Sequence, residues 1–242
     1  RLVGSEMCIR DRGSTGIAAL RALVNEIDSI LRTLLLLAGI DRIDTTEIVT
    51  TSCMSSVLSS LNKAIKLKPK EQSIYFRKAS IYMDLNDPQE AKFSIKKGLS
   101  INKNNEKGYF QLGNAEIMLN NYKSALNAFR KSSRINSSFW QSINNEGLVL
   151  YELNNAKEAI LKFKSALKIS NNAEPMLALA IALFSSDNQS IESFNLAKKA
   201  LKSNPQYVSK DYQIKQLWGK KLQQSAQLLF QMKAVSYTHL TL

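Results

Sequence analysis

Between Leu85 and Ala200 the hydrophobic positions repeat on two length scales at once. Over short stretches they fall three and four apart, as at Ala159, Ile160, Phe163, Ala166 and Leu167. That spacing gathers them on one stripe of an amphipathic helix. Over longer stretches the same positions return every 34 residues. Ala91, Ala125 and Ala159 form one column, Ile95, Phe129, Phe163 and Ala197 a second, and Gly98, Ser132, Ala166 and Ala200 a third. The phrase LNNYKSALNAFRKS, Leu119 to Ser132, thus reappears as LNNAKEAILKFKSA, Leu153 to Ala166, with a fainter copy from Leu85. A second helical pattern precedes each phrase: Tyr109, Leu112, Gly113 and Ile117 in one copy, Ile143, Gly147 and Leu150 in the next.

Each repeat therefore predicts two helices, and four units starting at Gln72, Glu106, Trp140 and Glu174 cover residues 72–207. Small residues belong where the two helices of a hairpin approach most closely, because a larger side chain would force them apart. One hairpin cannot bury its own stripe, so the units must stack. Ahead of them, SSLNKAIKLKP reads as the second helix of a degenerate half-repeat over 54–71, while Thr45 to Ser52 carry no first-helix pattern. In the fourth unit Ser193 and Ala197 replace the alanine and the aromatic, which predicts looser packing there. After Pro205, the positions of Tyr212, Ile214, Leu217, Trp218, Leu222 and Leu228 predict one long amphipathic helix over 208–233 that caps the stack.

The order of residues resembles the tetratricopeptide repeat. Leu112, Gly113, Ala125 and Phe129 match its pattern in one copy, Tyr75, Ala79, Tyr82 and Ala91 in the copy before, and Pro205 and Pro69 occupy its proline position. The resemblance implies an all-α solenoid of stacked antiparallel hairpins whose first helices line a concave groove for a peptide or protein partner. The family's groove offsets fall on Ser73, Phe76, Ser80 and Met83, on Lys107, Phe110, Asn114 and Ile117, and on Gln141, Asn144, Leu148 and Tyr151. Asparagine offers a peptide backbone both a donor and an acceptor, and the aromatic side chains offer apolar anchors; packing between repeats is the competing role for Phe76, Phe110 and Tyr151. The clamp that chaperone-tail binders use for a terminal carboxylate is not expected, since its lysine and asparagine places hold Phe76 and Ser80. Lys107 leaves some preference for acidic ligands.

Charge adds a second candidate surface. The chain of 242 residues carries a net charge of +13. Lys96, Arg130, Lys164 and Lys198 share one offset on the second helices, and Arg134, Lys168 and Lys202 another. Stacking would align them as a ridge on the convex face, able to attract nucleic acid or an anionic membrane surface. Aromatic residues for base stacking do not interleave the ladder, and a lysine-rich composition fills solvated helix faces in the same way.

Composition narrows the chemistry further. The ends, RLVGSEMCIRDR and AVSYTHLTL, resemble translated sequencing adapters and are set aside as residues 1–12 and 234–242. The remainder keeps +12 of the +13, since Arg1, Arg10 and Arg12 stand against Glu6 and Asp11 and the tail is uncharged. It contains no histidine and a single cysteine, Cys53, so cysteine–histidine metal sites and disulfide frameworks are not expected, and neither is a cofactor. The nine glycines form no phosphate-cradling loop. Residues 1–62 hold six arginines and no lysine, whereas 63–242 hold 24 lysines and three arginines. The segment 13–53 is accordingly either a distinct native cap or misassembled sequence. The reading that joins these observations is a non-enzymatic scaffold for protein–protein interaction. Its rivals are an anionic-surface binder acting through the ridge and a piece of a larger enzyme whose catalytic domain lies outside the sequence.

Overall fold

The computed structural model describes residues 45–188, 190–232 and 235, with side chains from residue 54 onward. The stretch 1–12, the segment 13–44 and the tail from 234, apart from Val235, lie outside the described residues, as does the side chain of Cys53. A helix α1, Thr45–Leu67, leads into α2 (Gln72–Asp84), α3 (Pro88–Ile101), α4 (Glu106–Met118), α5 (Tyr122–Ile135), α6 (Trp140–Glu152), α7 (Ala156–Ile169), α8 (Ala173–Ser186) and α9 (Ile191–Ser203). The hairpins α2/α3, α4/α5, α6/α7 and α8/α9 stack in chain order, giving the expected α-solenoid. No helix among the described residues is long and apolar enough to cross a membrane. The first helix runs unbroken through the change in composition near Asn62 and packs on α2.

The shared phrase in the sequence encodes the turn inside each hairpin. Asn86, Asn120 and Asn154 adopt φ of 57°, 58° and 64°, the left-handed conformation that asparagine tolerates better than most residues. At that position the chain reverses while satisfying the last helical carbonyls. Asn120 N–H donates to Ile117 O (2.8 Å) and Asn121 N–H to Glu116 O (2.8 Å), and Asn154 and Asn155 bond in the same way to Tyr151 and Leu150. The next helix is capped at once, since the side chains of Asp87 and Asn155 accept from the N–H of Glu90 and Glu158.

Inside each hairpin one position of the first helix faces one position of the second, and their sizes compensate. Phe129 packs against Gly113, and a methyl group on Gly147 would stand 2.5 Å from the ring of Phe163. In the first unit the corresponding pair is Ala79 and Ile95. In the fourth it is reversed, with Ile181 opposite Ala197 in register. All of Ala79, Ile95, Phe129, Phe163, Ile181 and Ala197 have zero exposure. The expected looseness of the fourth unit is therefore corrected: isoleucine on the first helix fills the volume that the aromatic fills elsewhere.

The C-terminal segment also departs from expectation. Instead of one helix over 208–233 there is a 3-10 turn, Pro205–Val208, then α10 (Lys210–Lys215) and α11 (Lys220–Gln231). Leu217 breaks the run with φ of 60°. Beyond it Glu152 accepts hydrogen bonds from the backbone N–H of Lys221 and Leu222 (3.1 and 2.9 Å). A carboxylate there satisfies the open donors of a new helix and complements its dipole. Ile214 and Leu228, assigned to the buried stripe from sequence, are 51% and 59% exposed; the stripe of α11 is Leu222, Ala226 and Leu229, all at zero exposure.

Candidate partner-binding groove

The first helices α2, α4, α6 and α8 share one side of the solenoid, where α2 meets α4 and α6 meets α8. This side divides into an open half over the first two units and a half closed by the chain itself. Helix α11 lies across α6 and α8, on the positions where the family offsets place a ligand. The Tyr151 hydroxyl donates to Ser225 Oγ (2.8 Å) and pairs with Ser185 Oγ (2.5 Å). Lys221 reaches back to Tyr151 O (3.2 Å) and Asn154 Oδ1 (2.8 Å), with its ammonium 4.7 Å from the centre of the Tyr151 ring. Leu148 and Tyr151 are 2% and 1% exposed.

The groove residues expected from sequence accordingly meet different fates. Tyr151, expected as a partner contact, holds α11 through these bonds. Asn144, expected to face a partner as well, has zero exposure, and its amide donates to Asn145 Oδ1 (3.3 Å). Phe76 is a packing residue whose ring fills the space above two glycines, since a methyl on Gly108 would meet it at 2.6 Å and one on Gly98 at 2.8 Å. Phe110 is half-buried between Phe129 and Phe139, with ring centres 5.7 and 5.1 Å away. Lys107 is exposed, and Ser80 and Asn114 are half-buried on the open half. Asn114 Oδ1 accepts from Asn145 Nδ2 (3.2 Å), and Ser80 Oγ from Gln111 Nε2 (2.9 Å). Sequence reasoning missed Gln111 and Asn145, one residue beyond the positions it selected. A polar residue directly following each selected position was the available signal.

On the other side Lys96 and Lys164 are exposed, whereas Lys198 is half-buried. Arg130 is engaged with Glu158 at 2.8 Å, which interrupts the ladder at the second unit. Arg130, Lys131 and Arg134 border an open depression of about 650 Å³.

Where the open and closed halves meet lies a cavity of about 410 Å³. Phe110, Asn114, Trp140 and Asn145 form one wall; Glu174, Asn204, Tyr207, Tyr212 and Lys215 belong to the other. Trp218, 3% exposed, donates its indole N–H to Glu174 Oε1 at 3.1 Å. Tyr207 stacks on Trp218 at 5.3 Å, and Tyr212 meets Tyr207 edge-on at 4.9 Å. Burial pushes the Glu174 carboxyl up to about 7, although the Trp218 hydrogen bond acts to lower it. Burial also raises the Tyr207 hydroxyl.

Stacked hairpins with a left-handed asparagine turn and a small-against-large seam define a helical repeat protein. Residues 72–105 and 106–139 each match the tetratricopeptide repeat family, so this part of the chain is built of tetratricopeptide repeats. Both matches begin where α2 and α4 begin. No curated protein matches the chain. Among solved structures it is similar to MamA, at 19% identity over 70% of this chain and 99% of that one, with a TM-score of 0.58. It is also similar to YrrB, described as a tetratricopeptide-repeat protein with an unusual peptide-binding site, at 16% identity over 73% and 93% of the two chains and a TM-score of 0.54. A Thermobaculum terrenum O-GlcNAc transferase aligns at 18% identity over 55% of this chain and 26% of its own, with a TM-score of 0.51. At these identities the likeness concerns the fold.

Proposed function

We propose that the chain is a protein-interaction scaffold that holds an extended peptide segment of a partner along the open half of its groove. Tetratricopeptide repeats over residues 72–139 support the scaffold reading. The observation that carries the groove is the pair of amide links running across it, Gln111 to Ser80 and Asn145 to Asn114. Gln111 Oε1 is buried with no hydrogen-bond partner among the described residues. An unpaired buried acceptor costs about 1–3 kcal/mol, and a peptide N–H arriving from the groove would satisfy it. Lys107, exposed at the edge, would favour an acidic side chain on the partner. Because α11 fills the groove over the third and fourth units, the partner segment lies over α2, α4 and the start of α6.

The test is selection from a random-peptide display library on the full chain. Selected peptides are expected to lose binding to Asn114→Ala/Asn145→Ala and keep it when Lys96, Arg130, Lys164 and Lys198 are changed to glutamine. Peptides indifferent to the first variant and lost with the second would overturn the groove in favour of the ridge.

A further inference from the structure

The cavity at the junction of the two halves has a composition that the rest of the groove lacks. A carboxylate, Glu174, stands in its lining, and its Oε1 is already fixed by the Trp218 indole. Around it are amide oxygens that each accept one hydrogen bond: Asn114 from Asn145, Asn172 from the Glu174 N–H, and Asn204 from the Gln206 N–H. A carbonyl oxygen has a second lone pair, so these oxygens can accept again. Aromatic rings complete the walls, and a cation within about 6 Å of such a face is attracted to it. Carboxylate, carbonyl oxygens and aromatic faces are all electron-rich. Lys215, the one cation in the lining, is exposed, and no ion pair joins it to Glu174 among the described residues. The lysines of the second helices stand on the other side of the solenoid, where a screening length of about 8 Å at physiological salt limits their reach.

We infer that this cavity is a cation site, receiving the ammonium or guanidinium end of a lysine or arginine side chain from a peptide that lies in the groove. This rests on the groove reading above and adds a selectivity to it. The volume of about 410 Å³ is near the lower end of the range of about 300–1,000 Å³ for small-ligand sites, which suits one long side chain with its adjoining peptide units. Closure by α11 makes the site an end stop. The peptide runs along α2 and α4, and its basic residue is held where the groove ends.

The Trp218 indole N–H, bonded to the same carboxylate, provides the readout. In an amide-correlation NMR titration of the full chain, acetyl-Gly-Ser-Lys-Ser-Gly-amide and its arginine counterpart should shift the Trp218 indole signal saturably, with a Kd on the order of 1 mM. The norleucine and glutamate counterparts should not. Glu174→Gln keeps an acceptor for the indole and should weaken the lysine peptide tenfold or more. Lys215→Glu, at an exposed position, should tighten it about threefold, and this arm stands even if Glu174→Gln proves unstable. With the carboxyl at about 7, its ionised fraction is about tenfold lower at pH 6 than at pH 8, so the lysine peptide should bind about tenfold more weakly at pH 6. The other titratable groups lining the cavity are Tyr207, Tyr212 and Lys215. No indole shift, an equal shift from the norleucine peptide, or binding unchanged in both variants would overturn the inference. Library-selected peptides that need Asn114 and Asn145 but ignore Glu174 would leave the groove standing and remove the cation site. Loss of the groove itself would instead appear as indifference to Asn114 and Asn145.

Discussion

Replacing Phe163 with alanine tests the seam inside the hairpins. The ring has zero exposure and lies against Gly147, so truncation removes a full aromatic side chain and leaves a cavity that two helix backbones cannot readily close. Such changes cost about 3–5 kcal/mol. For a domain of this size, at about 2–4 °C per kcal/mol, a loss near 4 kcal/mol lowers Tm by about 8–16 °C. The fourth unit shows how the chain solves the opposite arrangement, with Ile181 facing Ala197. Gly147→Ile alone should be strongly destabilising, because even a methyl there would stand 2.5 Å from the Phe163 ring. Combined with Phe163→Ala it recreates the fourth-unit pairing, and the double variant should lose less stability than the two single losses summed. The coupling should fall within the range of about 0.5–3 kcal/mol seen for residues in contact. Urea unfolding of the four proteins, followed by helical circular dichroism, measures the cycle. Additive losses would refute the size-compensation argument.

Further outcomes follow from the closed half of the groove and from charge. Leu222→Asp places a carboxylate at a position of zero exposure and should detach α11, seen as rapid proteolysis between Gln216 and Gly219, whereas Ile214→Asp, at an exposed position, should leave the digest unchanged. Because the Glu174 carboxyl is raised from 4.5 to about 7 in the folded chain, the folded state keeps this proton when the unfolded state has lost it. Stability should therefore fall as pH rises from about 4.5 through 7 and level off above. Thermal melts across pH 5–8 should show that fall in the wild type and a flatter profile in Glu174→Gln; parallel profiles would count against it. Glutamine at Lys96, Lys164 and Lys198 should change Tm little, while the same change at Arg130, paired with Glu158 near the surface, should cost no more than about 1 kcal/mol.

The repeat was legible because two periods overlap in it. A 3.6-residue stripe and a 34-residue return together fix which residues face the neighbouring helix, and columns such as Ala125 and Ala159 are buried as their spacing requires. The turn was legible as a shared phrase, although its left-handed asparagines emerge only from the backbone. What the spacing could not carry was any contact outside the period. Tyr151 and Ser225 meet across 74 residues, and nothing in either helix alone names the other. The break at Leu217 was hidden because leucine rarely adopts a left-handed conformation, and the apolar pattern continues through it. The fourth unit misled for a related reason: one column read alone shows a missing aromatic, while the pair of columns shows Ile181 compensating. Of the groove, the polar positions at Ser80, Lys107 and Asn114 lie on the open half, whereas Asn144 and Tyr151 were removed from it by burial and by α11.

The most direct test of the account is a titration of one library-selected peptide into three proteins at two salt concentrations: the wild type, Asn114→Ala/Asn145→Ala, and the variant with glutamine at Lys96, Arg130, Lys164 and Lys198. Short-range hydrogen bonds in the groove predict an affinity that changes little with salt. They also predict a loss of about tenfold, or 1.4 kcal/mol, in the asparagine variant and an affinity near that of the wild type in the glutamine variant. Nucleic acid held by four phosphate contacts on the ridge would give a log–log salt slope of about −3.6. A slope of that steepness for the selected ligand, abolished in the glutamine variant and untouched in the asparagine variant, would contradict the groove as the site of recognition.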